Sequence, residues 1–115
     1  MNVIIYHNPR CSKSRQTLAL LQAQGIEPTV VEYLTSPPSP AQLDDILNKL
    51  GLEPRALMRT KETAYAQAGL DDASLDRQAL IAAMVEHPIL IERPIVIRGD
   101  KAALGRPPES VLTIL

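Results

Sequence analysis

At 115 residues the chain is about one ordinary domain long, which argues against a two-domain enzyme. Apolar residues (45%) and charged residues (22%) are in the balance of a soluble globular protein, and a net charge of −1 supplies no global field toward nucleic acid or a membrane. With no Trp, no Phe and only Tyr6, Tyr33 and Tyr65, the chain also lacks aromatic platforms for stacking single-stranded nucleic acid.

Val3-Ile4-Ile5-Tyr6 is a short β-favouring run and is expected to be a buried first strand. Asn8-Pro9 breaks it, because the residue before proline is driven out of the helical region. A helix is expected from Ser12 to Gln24, with Thr17, Leu18, Leu20 and Leu21 inward and Gly25 as its stop signal. Thr29 to Tyr33 reads as a second strand, so the first thirty-odd residues form a βαβ unit with parallel strands. Ser36 to Pro40 is a linker, and Ser39-Pro40 is a helix start, an N-cap followed by proline at the first helical position. That helix runs from about Ala41 to Leu50 and ends at Gly51. A short one opens at Pro54, and another spans roughly Asp76 to Glu86. Residues from about 39 to 86 therefore read as an all-helical insertion between sheet elements. Pro88 closes the last of these helices, and Ile95-Val96-Ile97, turn residues Gly99-Asp100 and Ala102-Ala103-Leu104 make a hairpin. Pro107-Pro108 starts a final helix through Val111, Leu112 and Leu115. The order β-α-β, helices, β-β-α gives one thioredoxin-like α/β domain over residues 1–115, a mixed sheet with a helical insertion.

The charge pattern singles out Cys11, the only thiol. No Asp or Glu occurs from Met1 to Ile26, whereas Arg10, Lys13 and Arg15 all lie within four positions of Cys11. A lone cysteine is often a small buried hydrophobe. Here the polar, cationic neighbours and a position opening a helix favour a thiolate, stabilised by backbone N–H groups and the helix dipole. Ser14 stands where a dithiol motif would carry its second cysteine; it can cap the helix or hydrogen-bond the sulfur but cannot resolve a mixed disulfide. Cys11 to Arg15 is too short a spacing for a phosphatase-type Cys-x5-Arg loop, and one Cys with two distant His residues makes no usual zinc site. The pattern is that of a monothiol that attacks a substrate and then relies on a thiol from outside. His7 either tunes Cys11 or caps the first strand. Arg93 and Arg106, each before a proline, lie at boundaries of the C-terminal strands, and their planar forks suit tetrahedral oxyanions. No secretory leader precedes the first strand and no apolar run approaches the roughly 20 residues of a bilayer span, so a cytoplasmic protein with neither membrane nor nucleic-acid partners is expected.

Four segments, Tyr6 to Arg15, Arg55 to Arg59, His87 to Val96 and Gly105 to Glu109, closely resemble the ArsC family of glutathione- and glutaredoxin-dependent arsenate reductases, in the same order over nearly the whole chain. The resemblance implies a nucleophile at Cys11, an oxyanion site from Arg59, Arg93 and Arg106, and a cis bond before Pro94. His7, Ser14, Arg15 and Pro94 are expected in support. The resemblance further implies arsenate as substrate, glutathione as co-substrate, glutaredoxin as partner, a thioarsenate adduct on Cys11, and neither a bound cofactor nor a metal. Two relatives offer alternatives: a glutathione-dependent thiol oxidoreductase without arsenate activity, and an Spx-like regulator of transcription. Spx-type proteins usually carry Cys-x-x-Cys, from which Ser14 departs. Gly105 stands where some arsenate reductases have a second cysteine.

Overall fold

A computed structural model describes residues 2–115. The chain divides into two compact units, one made of the residues up to Ser36 together with Arg93–Leu115, the other of Pro37–Glu92.

The first unit is built on a four-stranded mixed sheet in the order β2-β1-β3-β4, from β1 (Val3–His7), β2 (Thr29–Glu32), β3 (Ile95–Arg98) and β4 (Lys101–Leu104). β1 pairs parallel with β2 in the register Ile5↔Val30, and antiparallel with β3 in the register Ile5↔Val96. The central β1 and β3 carry the apolar runs because both of their edges are paired, and every residue of Ile95–Ile97 is buried. β2, an edge strand, leaves Val30 exposed. β3 and β4 form the expected hairpin, with Gly99 at φ 62, a conformation costly for any residue bearing a Cβ. Helix α1 (Ser12–Ala23) buries Ser14, Thr17 and Leu21. Leu21 joins Val3, Ile5, Val96, Val111 and Ile114 in the core, with Leu18 and Leu20 packed against it.

Residues 108–114 are 3-10 rather than the α-helix expected after Pro107-Pro108. The tighter coil still buries Val111 and Ile114.

The second unit is helical. α2 (Pro40–Leu50) has the full start signal. Ser39 Oγ accepts from Gln42 N, Gln42 Oε1 accepts from Ser39 N, Pro40 occupies the first turn, and Gly51 closes the helix at φ 68. α3 (Pro54–Leu57), α4 (Thr63–Gln67) and α5 (Arg77–Glu86) follow. α5 packs against α2 and α3 through Leu80, Ile81 and Met84, and Arg77 reaches Asp44 at 2.7 Å. α4 is absent from the sequence expectation because it buries none of its residues and so leaves no apolar period. Arg55 gathers this stretch instead, donating to Tyr65 Oη, the Leu70 carbonyl and the Asp72 carbonyl. Pro88–Leu90 is a 3-10 turn, and Ile91 pairs with Met58 in an isolated antiparallel bridge.

Candidate active site

Cys11 caps helix α1. It is partly exposed, its backbone is extended (φ −93, ψ 123), and its carbonyl accepts the first intrahelical bond from Arg15 N at 3.0 Å. The turn that presents it is closed by Cys11 N donating to the Asn8 carbonyl (3.0 Å), Arg10 N donating to Asn8 Oδ1 (3.0 Å) and Arg15 Nη1 donating to the Pro9 carbonyl (2.9 Å). Asn8 is thus a structural member of the site that the sequence reading did not single out. Its position before Pro9 was the available signal, because an Asx turn is favoured there.

Burial pushes the Cys11 thiol up, yet the opposing interactions outweigh it. These are the backbone N–H of Ser14, the Arg93 guanidinium through hydrogen bond and charge, and the backbone N–H of Lys13, and they leave the thiol below its ordinary range. Arg106 Nη2 stands 3.7 Å from Cys11 Sγ. Two guanidiniums and the open N-terminus of a twelve-residue helix therefore face one sulfur.

Two loops carry these arginines and are tied to each other. Gly105 N donates to the Pro94 carbonyl at 2.9 Å, and Arg106 Nε donates to the Arg93 carbonyl at 2.7 Å. The Arg93–Pro94 bond is cis, and so is Arg106–Pro107, which the sequence reading did not anticipate. Gly105 sits between Thr17 of α1 and Pro94; a Cβ there would press on Thr17 Oγ1 and lie 2.7 Å from Pro94 Cγ. A Cβ at position 105 forces Thr17 or Pro94 to shift.

Ser14 departs from expectation. Its neighbours gave no sign of a core position, yet it is fully buried. Its hydroxyl lies 2.6 Å from His7 Nδ1 and accepts from Asn8 N at 3.0 Å, so what reaches the sulfur from Ser14 is the backbone N–H. His7, the last residue of β1, is buried and bonds to the first turn of α1. Burial holds its imidazole below the usual histidine range; Glu32 pulls upward and Arg15 downward.

Arg59 belongs to the helical unit. Its backbone N donates to the Leu90 carbonyl at 2.7 Å, and its guanidinium contacts Glu62 Oε1 (3.1 Å, from Nε) and Glu92 Oε1 (3.0 Å, from Nη1). Burial lowers its affinity for the proton, but the two glutamates more than offset that and raise it. Neither glutamate was a candidate at the sequence level, since only the tertiary fold of this unit brings Glu92 across from Arg59.

A family model, ArsC family, matches residues 6–114. The chain belongs to the ArsC family. Its thioredoxin-like α/β fold is shared by the solved arsenate reductase of Vibrio cholerae, to which it is 57% identical, with a TM-score of 0.97 over 100% of this chain and 98% of that one. It is 54% identical over 116 residues to an arsenate reductase of Haemophilus influenzae, covering all of both chains. It is 56% identical over 114 residues to YfgD, an uncharacterized protein of Escherichia coli K12, covering 98% of this chain and 96% of that one.

Proposed function

We propose that this ArsC-family protein reduces arsenate to arsenite, with Cys11 as nucleophile and with glutathione and glutaredoxin supplying the electrons. The observation that carries this reading is the single thiol at a helix N-terminus beneath Arg93 and Arg106, an arrangement that both lowers the thiol pKa and attracts an oxyanion. The near-full-length similarity to arsenate reductases of Haemophilus influenzae and Vibrio cholerae supports it.

In this mechanism the Cys11 thiolate attacks As(V). An S–As bond forms, an As–O bond breaks, and the departing oxygen takes up protons and leaves as water. Arg93 and Arg106, with Arg59 as the third arginine of the family pattern, hold the remaining oxygens and stabilise their developing charge. A glutathione thiolate then attacks the sulfur of Cys11. An S–S bond forms while the S–As bond breaks, and its electron pair stays on arsenic, which leaves as As(III) arsenite. A glutaredoxin thiolate next attacks the glutathione sulfur of the mixed disulfide and releases the Cys11 thiolate. Two electrons reach arsenic and none remain owed by Cys11, which suits a chain without a resolving cysteine.

The decisive experiment is NADPH consumption with glutathione, glutathione reductase and glutaredoxin, with and without arsenate. Arsenate-dependent turnover that Cys11→Ser abolishes is the expected result. Turnover of glutathione mixed disulfides with no response to arsenate would instead identify a thiol oxidoreductase.

A further inference from the structure

Arg59 is a basic residue whose surroundings are not basic. Its side chain and those of Glu62 and Glu92 are 24%, 28% and 25% exposed, which limits the screening of their charges by water. All three line one cleft of about 330 Å³ together with Met58, Thr60 and Lys61. Arg59 with its two glutamates sums to −1, and Lys61 only brings the cleft to neutrality. An anion entering therefore meets no net attraction, despite two cations in the lining.

The hydrogen-bond geometry leads to the same point. A guanidinium grips a tetrahedral oxyanion through two parallel N–H bonds, along either its Nε/Nη2 edge or its Nη1/Nη2 edge. Nε has a single hydrogen, and Glu62 Oε1 accepts it. Nη1 donates to Glu92 Oε1. The Nε/Nη2 edge is thus closed by Glu62, and Glu92 takes one of the two hydrogens of Nη1 on the other edge. The backbone needs no rearrangement to change this. Arg59 N–Leu90 O and Glu92 N–Leu57 O bonds of 2.7 and 2.8 Å fix the two segments, and Glu62 lends its side chain to no helix cap.

We infer that Glu62 and Glu92 are internal competitors for Arg59, so that a tetrahedral oxyanion binds there by displacing a carboxylate oxygen and these two residues set its affinity. The inference rests on the reading of Arg59 as an oxyanion ligand. In the reaction proposed above, the two glutamates weaken ground-state binding of the substrate and keep the arginine from being filled by any passing anion.

The test is calorimetric titration of the full chain carrying Cys11→Ser, which cannot turn over, with inorganic arsenate and separately with inorganic phosphate. Adding Glu62→Gln or Glu92→Gln is expected to tighten both anions by about 1.5- to fivefold, the span that a partly exposed ion pair represents in an equilibrium constant. Asp45→Asn, which removes a charge of the same sign from the exposed Lys49–Asp45 pair, is the control and should change neither affinity. With the Cys11 thiol restored, Glu62→Gln should lower KM for arsenate by a similar factor. Unchanged or weaker anion binding in both glutamine variants overturns the inference and makes the glutamates orienting groups. Tighter anion binding in a protein without arsenate-dependent turnover would retain the competition and remove only the reductase reading.

Discussion

In the proposed mechanism Cys11, Arg93 and Arg106 divide the chemistry in a way that substitutions can separate. Lysine at position 106 keeps the charge but cannot at once bond the Arg93 carbonyl and reach Cys11 Sγ, as Nε and Nη2 do now. Arg93→Lys likewise loses the fork. Each is expected to cost about 2–4 kcal/mol of transition-state stabilisation, read as a fall in kcat/KM for arsenate. Alkylation of Cys11 by neutral iodoacetamide should fall much less, because the backbone N–H groups of Ser14 and Lys13 still favour the thiolate. Equal losses in the two assays would show that the arginines only activate the sulfur. In the wild type, the alkylation midpoint should lie below the ordinary thiol value of about 8.5, and a midpoint at that value would remove helix-terminus activation from the mechanism. Cys11 itself was legible in the sequence because charge and helix position coincide there. The roles of Ser14 and Asn8 were not, since a buried serine hydroxyl between a strand end and a helix start leaves no pattern in one dimension.

Two contacts between elements invite tests of their own. Gly105 lets the loop before Pro107 press against Thr17 of α1 and Pro94, and Gly105→Ala forces a Cβ into side chains that α1 and β3 hold in place. Overpacking of this kind costs about 1–3 kcal/mol, measurable as a lowered urea midpoint. Gly105→Cys should be destabilised at least as much and should gain no internal disulfide with Cys11, which thiol counting under non-reducing conditions would check. At α2 the reciprocal bonds of Ser39 and Gln42 make Ser39→Ala worth about 1 kcal/mol of lost stability. That cap was readable as Ser39-Pro40 ahead of an apolar period ending at Gly51. The five residues of α4 were not, because Arg55 holds that region through two carbonyls and a tyrosine hydroxyl rather than through an apolar face.

At the scale of the whole molecule, His7 and Cys11 link stability to pH. Burial lowers the His7 pKa, so the unfolded chain binds its proton more tightly than the folded one. The contribution is complete above the unfolded value of about 6.5 and is lost as pH falls below it toward the depressed folded value. The Cys11 thiolate is favoured in the fold, so its contribution is present above the unfolded thiol value and disappears as pH falls through the lowered one. Tm should therefore decline from neutrality into the acid range, and less steeply in His7→Asn, which keeps a polar partner for Ser14 without the titration. A thermal scan at several pH values decides this, and an equal slope in the variant would remove His7 from the acid loss.

The amino-acid sequence by itself determined the β-α-β opening, the helical stretch after Ser39 and the hairpin at Gly99, and it singled out Cys11 as the candidate nucleophile. Each of these is written in local terms: apolar period, cap and turn residues, and charge beside a thiol. The tertiary structure alone decided what depends on segments far apart in the chain. It set Arg106 of the C-terminal loop over the sulfur at position 11, pressed Gly105 against Thr17 and Pro94, and placed Glu92 opposite Arg59, 33 positions away. Sequence spacing carries no information about such contacts because they are fixed by how the sheet and the helices pack, and packing is a property of the folded chain.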